Sequence, residues 1–221
     1  MLSYVNLRVL PSPQFLQLER QKQEKIIKAS LEEFSRRGFK GASIDRITKK
    51  AGKAKGSIFN YFGDKHGLFA YIFEYSLEQV KTHIKKVRDQ TVHKGIYERL
   101  MIFAEEGIRF VRKNSSIYRL YLRLHNEADS KLTTQMMALI REYSIRFFTE
   151  LIDDAKKKSE LPGSLDTKAT AFILDSVFER FLQAYSTWHM GVPFGVYRTR
   201  DEAKAFIRSV IGLLREGLGG V

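Results

Sequence analysis

Residues 43–62 read SIDRITKKAGKAKGSIFNYF, and their pattern decides the fold. Ser43 stands where a helix cap is wanted, and Asp45 falls in the first turn, where the helix dipole favours negative charge. Ile44, Ile47 and Ala51 recur at three- and four-residue spacing, which gathers them on one buried face. Gly52 follows the last of them, at the position where a chain adopts a left-handed backbone to stop a helix and turn. A second short helix restarts near Lys55, with Ile58, Tyr61 and Phe62 on its inner side and Lys55, Ser57 and Asn60 outward. Two short helices about a glycine turn make a helix-turn-helix, and the outward residues suit the major groove of DNA.

Reading outward from this core lengthens the pattern. Phe34-Ser35-Arg36-Arg37-Gly38-Phe39 closes the preceding helix, and Asp64-Lys65-His66-Gly67-Leu68 opens the following one. The whole run, from about residue 25 to 71, resembles the DNA-binding domain of the tetracycline-repressor (TetR) family. Two positions depart from that family's usual pattern. Lys53 replaces the hydrophobic residue that commonly packs after the turn glycine. Ala54 replaces the Ser or Thr that often caps the recognition helix, a loss of about 1 kcal/mol. The resemblance implies an all-α chain. Residues 1–66 would be an N-terminal arm and three-helix DNA-binding domain, and residues 67–221 a helical effector-binding and dimerisation domain.

Within the motif, Ser57 and Asn60 are the candidates for base edges, since Asn can pair with adenine and Ser is shorter and less selective. Gly56 removes a side chain where the helix approaches the sugar-phosphate backbone. Lys55 reaches either a phosphate or a guanine edge. By the resemblance, Ser43, Tyr61 and Lys65 match positions that clamp phosphates. Lys49, Lys50 and Lys53 read as a solvated basic face that adds long-range attraction.

Composition agrees with a polyanion partner. The 221 residues carry a formal net charge of +13. The first 65 residues hold 14 Lys and Arg against 6 Asp and Glu, and the remaining 156 hold 24 against 19. The surplus therefore sits with the motif, where phosphate contacts would release condensed counterions. A charged fraction of 29% and the lack of any apolar run near the ~18 residues of a membrane span argue against a membrane protein. Zero cysteines exclude disulfides and thiolate metal sites. The first residues lack a signal-peptide pattern, so a cytoplasmic location is expected.

The remaining chain reads as helix throughout, about nine helices in all. One helix is expected from Pro13 to about Arg37, with Ile26, Ile27, Ser30, Leu31 and Phe34 inward and Gly38 at its end. The preceding arm, with Arg8, reads as loose or as a minor-groove contact. Asp64 caps a helix of about 25 residues. Further helices cover about 92–113, 116–128, 131–157, 167–188 and 201–218, with Asp166 capping the one that starts at Thr167.

The last two helices are apolar over more than one face, as expected where one face packs on the domain and another on a second subunit. Phe172, Val177, Phe181 and Tyr185 on one, and Phe206, Val210 and Leu214 on the other, are the candidate dimer surface. A recognition helix touches few base pairs, so a homodimer on a near-palindromic operator is expected. By the resemblance, a small-molecule cavity would be lined by Phe103, Phe110, Tyr118, Tyr121, Leu122, Phe147, Phe178 and Trp188, with Arg119, Arg123 or His125 supplying polarity. The rival reading makes this domain a dock for a protein partner. No catalytic constellation emerges: His125-Asn126-Glu127 has an H-x-E spacing but no cysteine pair to complete a zinc site. The expectation is a ligand-responsive DNA-binding regulator, in the family's usual way a repressor, with no enzyme activity, cofactor or metal.

Overall fold

The computed structural model describes residues 11–126, 131–196 and 199–218; the candidate Arg8 lies outside them. Among the described residues there is no strand. Eleven α-helices follow one another among the described residues: α1 (Pro13–Leu16), α2 (Arg20–Gly41), α3 (Ile44–Ala51), α4 (Lys55–Phe62), α5 (Lys65–Thr91), α6 (Ile96–Lys113), α7 (Ser115–Asn126), α8 (Lys131–Lys157), α9 (Thr167–Ser186), α10 (Trp188–Gly191) and α11 (Arg200–Leu218). A 3-10 turn at Val192–Phe194 precedes α11.

The chain forms two compact units, and their boundary does not fall after residue 66. The first holds α1–α4, α5 as far as Lys81, α7 and the start of α8 to Met137; the second holds Thr82–Asn114 and everything from Ala138.

In the first unit, α2 buries Ile26, Ile27, Ser30 and Phe34. It packs against α3 and α7. Phe34, Phe39 and Phe69 form a ring cluster, with centroids 4.8 and 5.1 Å apart. Gly38, at φ 65° and ψ −179°, ends regular helix geometry within α2, as its place after Arg37 predicts.

The single helix expected from Pro13 is instead two. The Gln23 amide donates to the carbonyls of Leu16 (3.1 Å) and Leu18 (2.8 Å), satisfying groups that a helix end would leave open. This break leaves α1 free of the axis of α2, so that Phe15 can turn wholly inward.

The second unit is built on α6, which packs against α9 and α11. Gly107 permits the close approach to α9: a Cβ there would stand 3.1 Å from a Leu182 methyl. Asp166 caps α9 by accepting from the Ala169 N–H at 2.9 Å, as the sequence predicts. Buried Arg99 ties α6 to α8 through Asp154, 2.7 Å away. The Asp154 carboxyl is held below its usual range by the Lys158 ammonium, with Arg99 adding to it. Arg141 joins α8 to Asp175 (2.8 Å) and Glu179 of α9.

Candidate nucleic-acid interface

α3 forms where expected: Ile44, Ile47 and Ala51 are buried, and Asp45 occupies its first turn. Gly52 adopts the left-handed conformation (φ 64°, ψ 42°), and the Lys53 N–H returns to the Thr48 carbonyl at 3.0 Å. Ser43 stands at the cap position, but its hydroxyl makes no capping bond. Its N–H is instead taken by the Glu33 carboxylate of α2 at 3.0 Å. Glu33 also accepts from Arg46, whose guanidinium reaches on to the Gly41 carbonyl at 2.7 Å. Burial pushes the Glu33 carboxyl up, but the bonds from Arg46 and the Ser43 N–H outweigh it and leave it lowered. The neighbouring Glu32 is lowered first by the Lys50 ammonium that it binds. Two carboxylates of α2 thus clasp two cations of α3.

α4 starts at Lys55 with Ala54 at its cap and no side-chain capping bond. Ile58 and Phe62 are buried and fix its roll about its own axis. Lys55, Gly56, Phe59 and Asn60 are exposed, and Ser57 is half-buried at the edge of that face. The Lys55 ammonium lies 2.9 Å from Asp45, bridging the outward surfaces of α3 and α4. Lys49 and Lys53 have no ion-pair partner among the described residues. Nothing stands within 4 Å of a Cβ built on Gly56, so its surface is open.

Two candidate residues are busier than their sequence positions suggest. Lys65 sends its ammonium to the carbonyls of Lys40 (3.2 Å) and Ala42 (2.9 Å) and lies 4.8 Å from the centre of the Phe39 ring. It staples α5 to the α2–α3 connection, with one of its three N–H donors left over. Tyr61 is half-buried, its ring 5.7 Å from Phe15. The Tyr61 carbonyl, near the end of α4, accepts from the Ser12 N–H at 2.9 Å. Phe15 also meets Phe62 at 4.8 Å and Tyr71 at 5.4 Å. The segment around α1 therefore braces the C-terminal end of α4, a support that local sequence signals do not reveal. Phe59 is likewise absent from the sequence-derived set, because one apolar residue among Ile58, Tyr61 and Phe62 reads as core.

The other candidates divide. In the second unit Phe103, Phe147, Phe148 and Phe178 form a chain of rings, with successive centroids 4.9, 5.1 and 5.4 Å apart. Phe110 lies beside His83 at 5.2 Å. Tyr118, Tyr121, Leu122 and His125 belong to the first unit, where the rings of Tyr118, Tyr121 and His125 follow one another along α7. Trp188 lines no interior: it is 65% exposed, because the extended backbone at Thr187 (φ −128°, ψ 113°) breaks the helix before it. An open cleft of about 160 Å³ is lined by Arg88, Val92, Arg99, Phe147, Leu151 and Asp154, among others.

The proposed dimer surface also needs correction. Phe181 is 3% exposed and belongs to the core of its own unit, since it faces inward on α9. Phe172 is 68% exposed and Leu213, on α11, 69%. Val177, Tyr185, Phe206, Val210 and Leu214 pack partly on the core. No described helix is long and apolar enough to cross a membrane.

The profile of the tetR family of bacterial regulatory proteins matches residues 26–72, which is α2 from Ile26 through the first part of α5. The HTH-type transcriptional regulator YvdT of Bacillus subtilis (strain 168) is 42% identical over 64 residues, 27% of this chain and 33% of that protein. YdgC of the same strain is 22% identical over 164 residues, 70% of this chain and 82% of the relative. Among solved structures, a TetR family transcriptional regulator from Chloroflexus aurantiacus J-10-FL superposes with a TM-score of 0.72 at 25% identity, covering 96% of this chain and 100% of that one. The transcriptional regulator FadR from Bacillus subtilis, solved in complex with stearoyl-CoA, has a TM-score of 0.68 at 18% identity, over 88% and 98% of the two chains. The profile falls on the clasped helices and glycine turn described above, and the C. aurantiacus likeness extends along nearly the whole chain: residues 26–72 match the tetR family of bacterial regulatory proteins, and the chain has the fold of a TetR family transcriptional regulator.

Proposed function

We propose that the protein is a ligand-responsive transcriptional regulator, a repressor by preference, that binds a near-palindromic DNA operator as a homodimer in the cytoplasm. The observation that carries this reading is α4 itself. Its buried Ile58 and Phe62 present Lys55, Gly56 and Asn60 to solvent, on a helix braced at one end by the Lys55–Asp45 pair and at the other by α1. Asn60 and Ser57 read base edges, and the open backbone at Gly56 lets the helix come close. Ser43, Tyr61 and the remaining donor of Lys65 hold phosphates and fix the register. The Lys55–Asp45 pair is exposed and so worth little, at most about 1 kcal/mol. Lys55 can therefore exchange Asp45 for DNA at small cost.

The dimer reading rests on Phe172 and Leu213, large apolar side chains left in water on the two last long helices. Around them Val177, Tyr185, Phe206, Val210 and Leu214 complete the face. The effector reading rests on the ring chain of Phe103, Phe147 and Phe178, which favours an apolar ligand, as does the stearoyl-CoA bound by a protein of the same fold. Phe110, in the same unit, completes the proposed lining. Such a ligand regulates only through different affinities for the DNA-bound and free conformations. Selection of bound duplexes from a random pool tests the reading. The expected product has two inverted half-sites whose centres lie one helical turn (~34 Å) or a multiple apart. Recovery of unselected sequence would overturn it.

A further inference from the structure

The side chain on α4 that the reading above leaves unused is Phe59. It is 39% exposed, the largest apolar group on the outward face of that helix, and shares no ring contact among the described residues. Its neighbours behave differently: Phe15, Phe34, Phe39, Phe62 and Phe69 in the same unit all engage other rings. A single exposed phenylalanine is ordinary on a protein surface. This one has a specific setting. Positions 56, 59 and 60 share one strip of the helix, and position 56 is a glycine whose missing side chain would meet nothing within 4 Å. Lys55, at the start of the same face, has its ammonium drawn to Asp45. The strip therefore offers a bare backbone, a phenyl ring and an amide, side by side.

A phenyl ring brings no hydrogen bond to a phosphate or a base edge, so on a helix in the major groove it can recognise only an apolar feature. The major groove has one such feature, the C5-methyl group of thymine. Resting on the proposal that α4 enters that groove, we propose that Phe59 is a specificity-determining residue that packs on a thymine methyl in each half-site, beside the base pair read by Asn60. Withdrawing one methyl group from water at such a contact is worth about fourfold in affinity per half-site.

The test replaces thymine by deoxyuridine, which lacks only that methyl, at one position of the selected operator at a time, in both half-sites together. The wild-type protein and Phe59→Ala are titrated on each duplex. The expected result is one thymine position at which uracil weakens wild-type binding about fifteenfold over the two half-sites and leaves Phe59→Ala unaffected. If the alanine variant binds too weakly to titrate, Phe59→Leu, which keeps an apolar contact, should show a reduced uracil penalty. Wild-type binding that tolerates uracil at every position overturns the inference, as does a penalty of equal size in the variants. A pool that yields no symmetric operator would instead defeat the underlying DNA-binding proposal.

Discussion

Replacing Phe15 with alanine tests whether a short helix outside the matched family segment supports α4, the proposed recognition helix. The side chain is fully buried, and its ring meets those of Tyr61, Phe62 and Tyr71 at 4.8–5.7 Å. Burial of a phenylalanine contributes about 1.5–3 kcal/mol in transfer alone. The cavity left among three rings that cannot collapse onto one another raises the expected loss to about 3–5 kcal/mol. Leu16, one residue on and 58% exposed, is the control, expected to change stability by no more than about 0.5 kcal/mol on substitution by alanine. Urea unfolding followed by far-ultraviolet circular dichroism measures both. With a slope of about 2–3 kcal/mol per molar, Phe15→Ala should lower the midpoint by about 1–2.5 M at unchanged slope. Peptide-resolved hydrogen exchange should show the loss concentrated at the end of α4, where the Ser12 N–H holds the Tyr61 carbonyl. A midpoint shift no larger than that of Leu16→Ala, or protection of α4 unchanged, would refute the brace.

Asn60→Ala should weaken operator binding by about tenfold or more while changing affinity for random DNA little, and equal losses on both, measured by titration, would reject its base-reading role. Lys65→Ala should weaken both DNAs, reduce the salt dependence and, through the lost bonds to the Lys40 and Ala42 carbonyls, lower the melting temperature. Glu32 and Glu33 have carboxyls lowered in the folded state from an ordinary value of 4.5, so their contribution is complete above that pH and disappears as pH falls through the folded values. Denaturation series should therefore show steady stability from pH 8 to 6 and a decline below about 4.5 that is shallower in Glu33→Gln. Phe172→Glu should shift the protein to monomer in sedimentation and weaken operator binding, with its secondary structure retained.

Much of this protein is legible locally. Gly38 and Gly52 mark breaks in regular helix because their backbones take positive φ, and Asp166 marks a helix start because its carboxylate satisfies an N–H three residues on. The three- and four-residue spacing of Ile44, Ile47 and Ala51 assigns their buried face without reference to the rest of the chain. Each of these signals is carried by neighbours in sequence. Tertiary structure decided what depends on partners distant in sequence. Phe15 meets Tyr71, Lys65 reaches Lys40 and Ala42, and Glu33 binds Arg46 across a turn, none of which a local pattern can express. It also chose between equivalent apolar positions, turning Phe181 into the core while Phe172, on the same helix, stays in water. Periodicity says that a helix has an apolar face, but only packing determines which of two such faces another helix covers, and that choice separates core from binding surface.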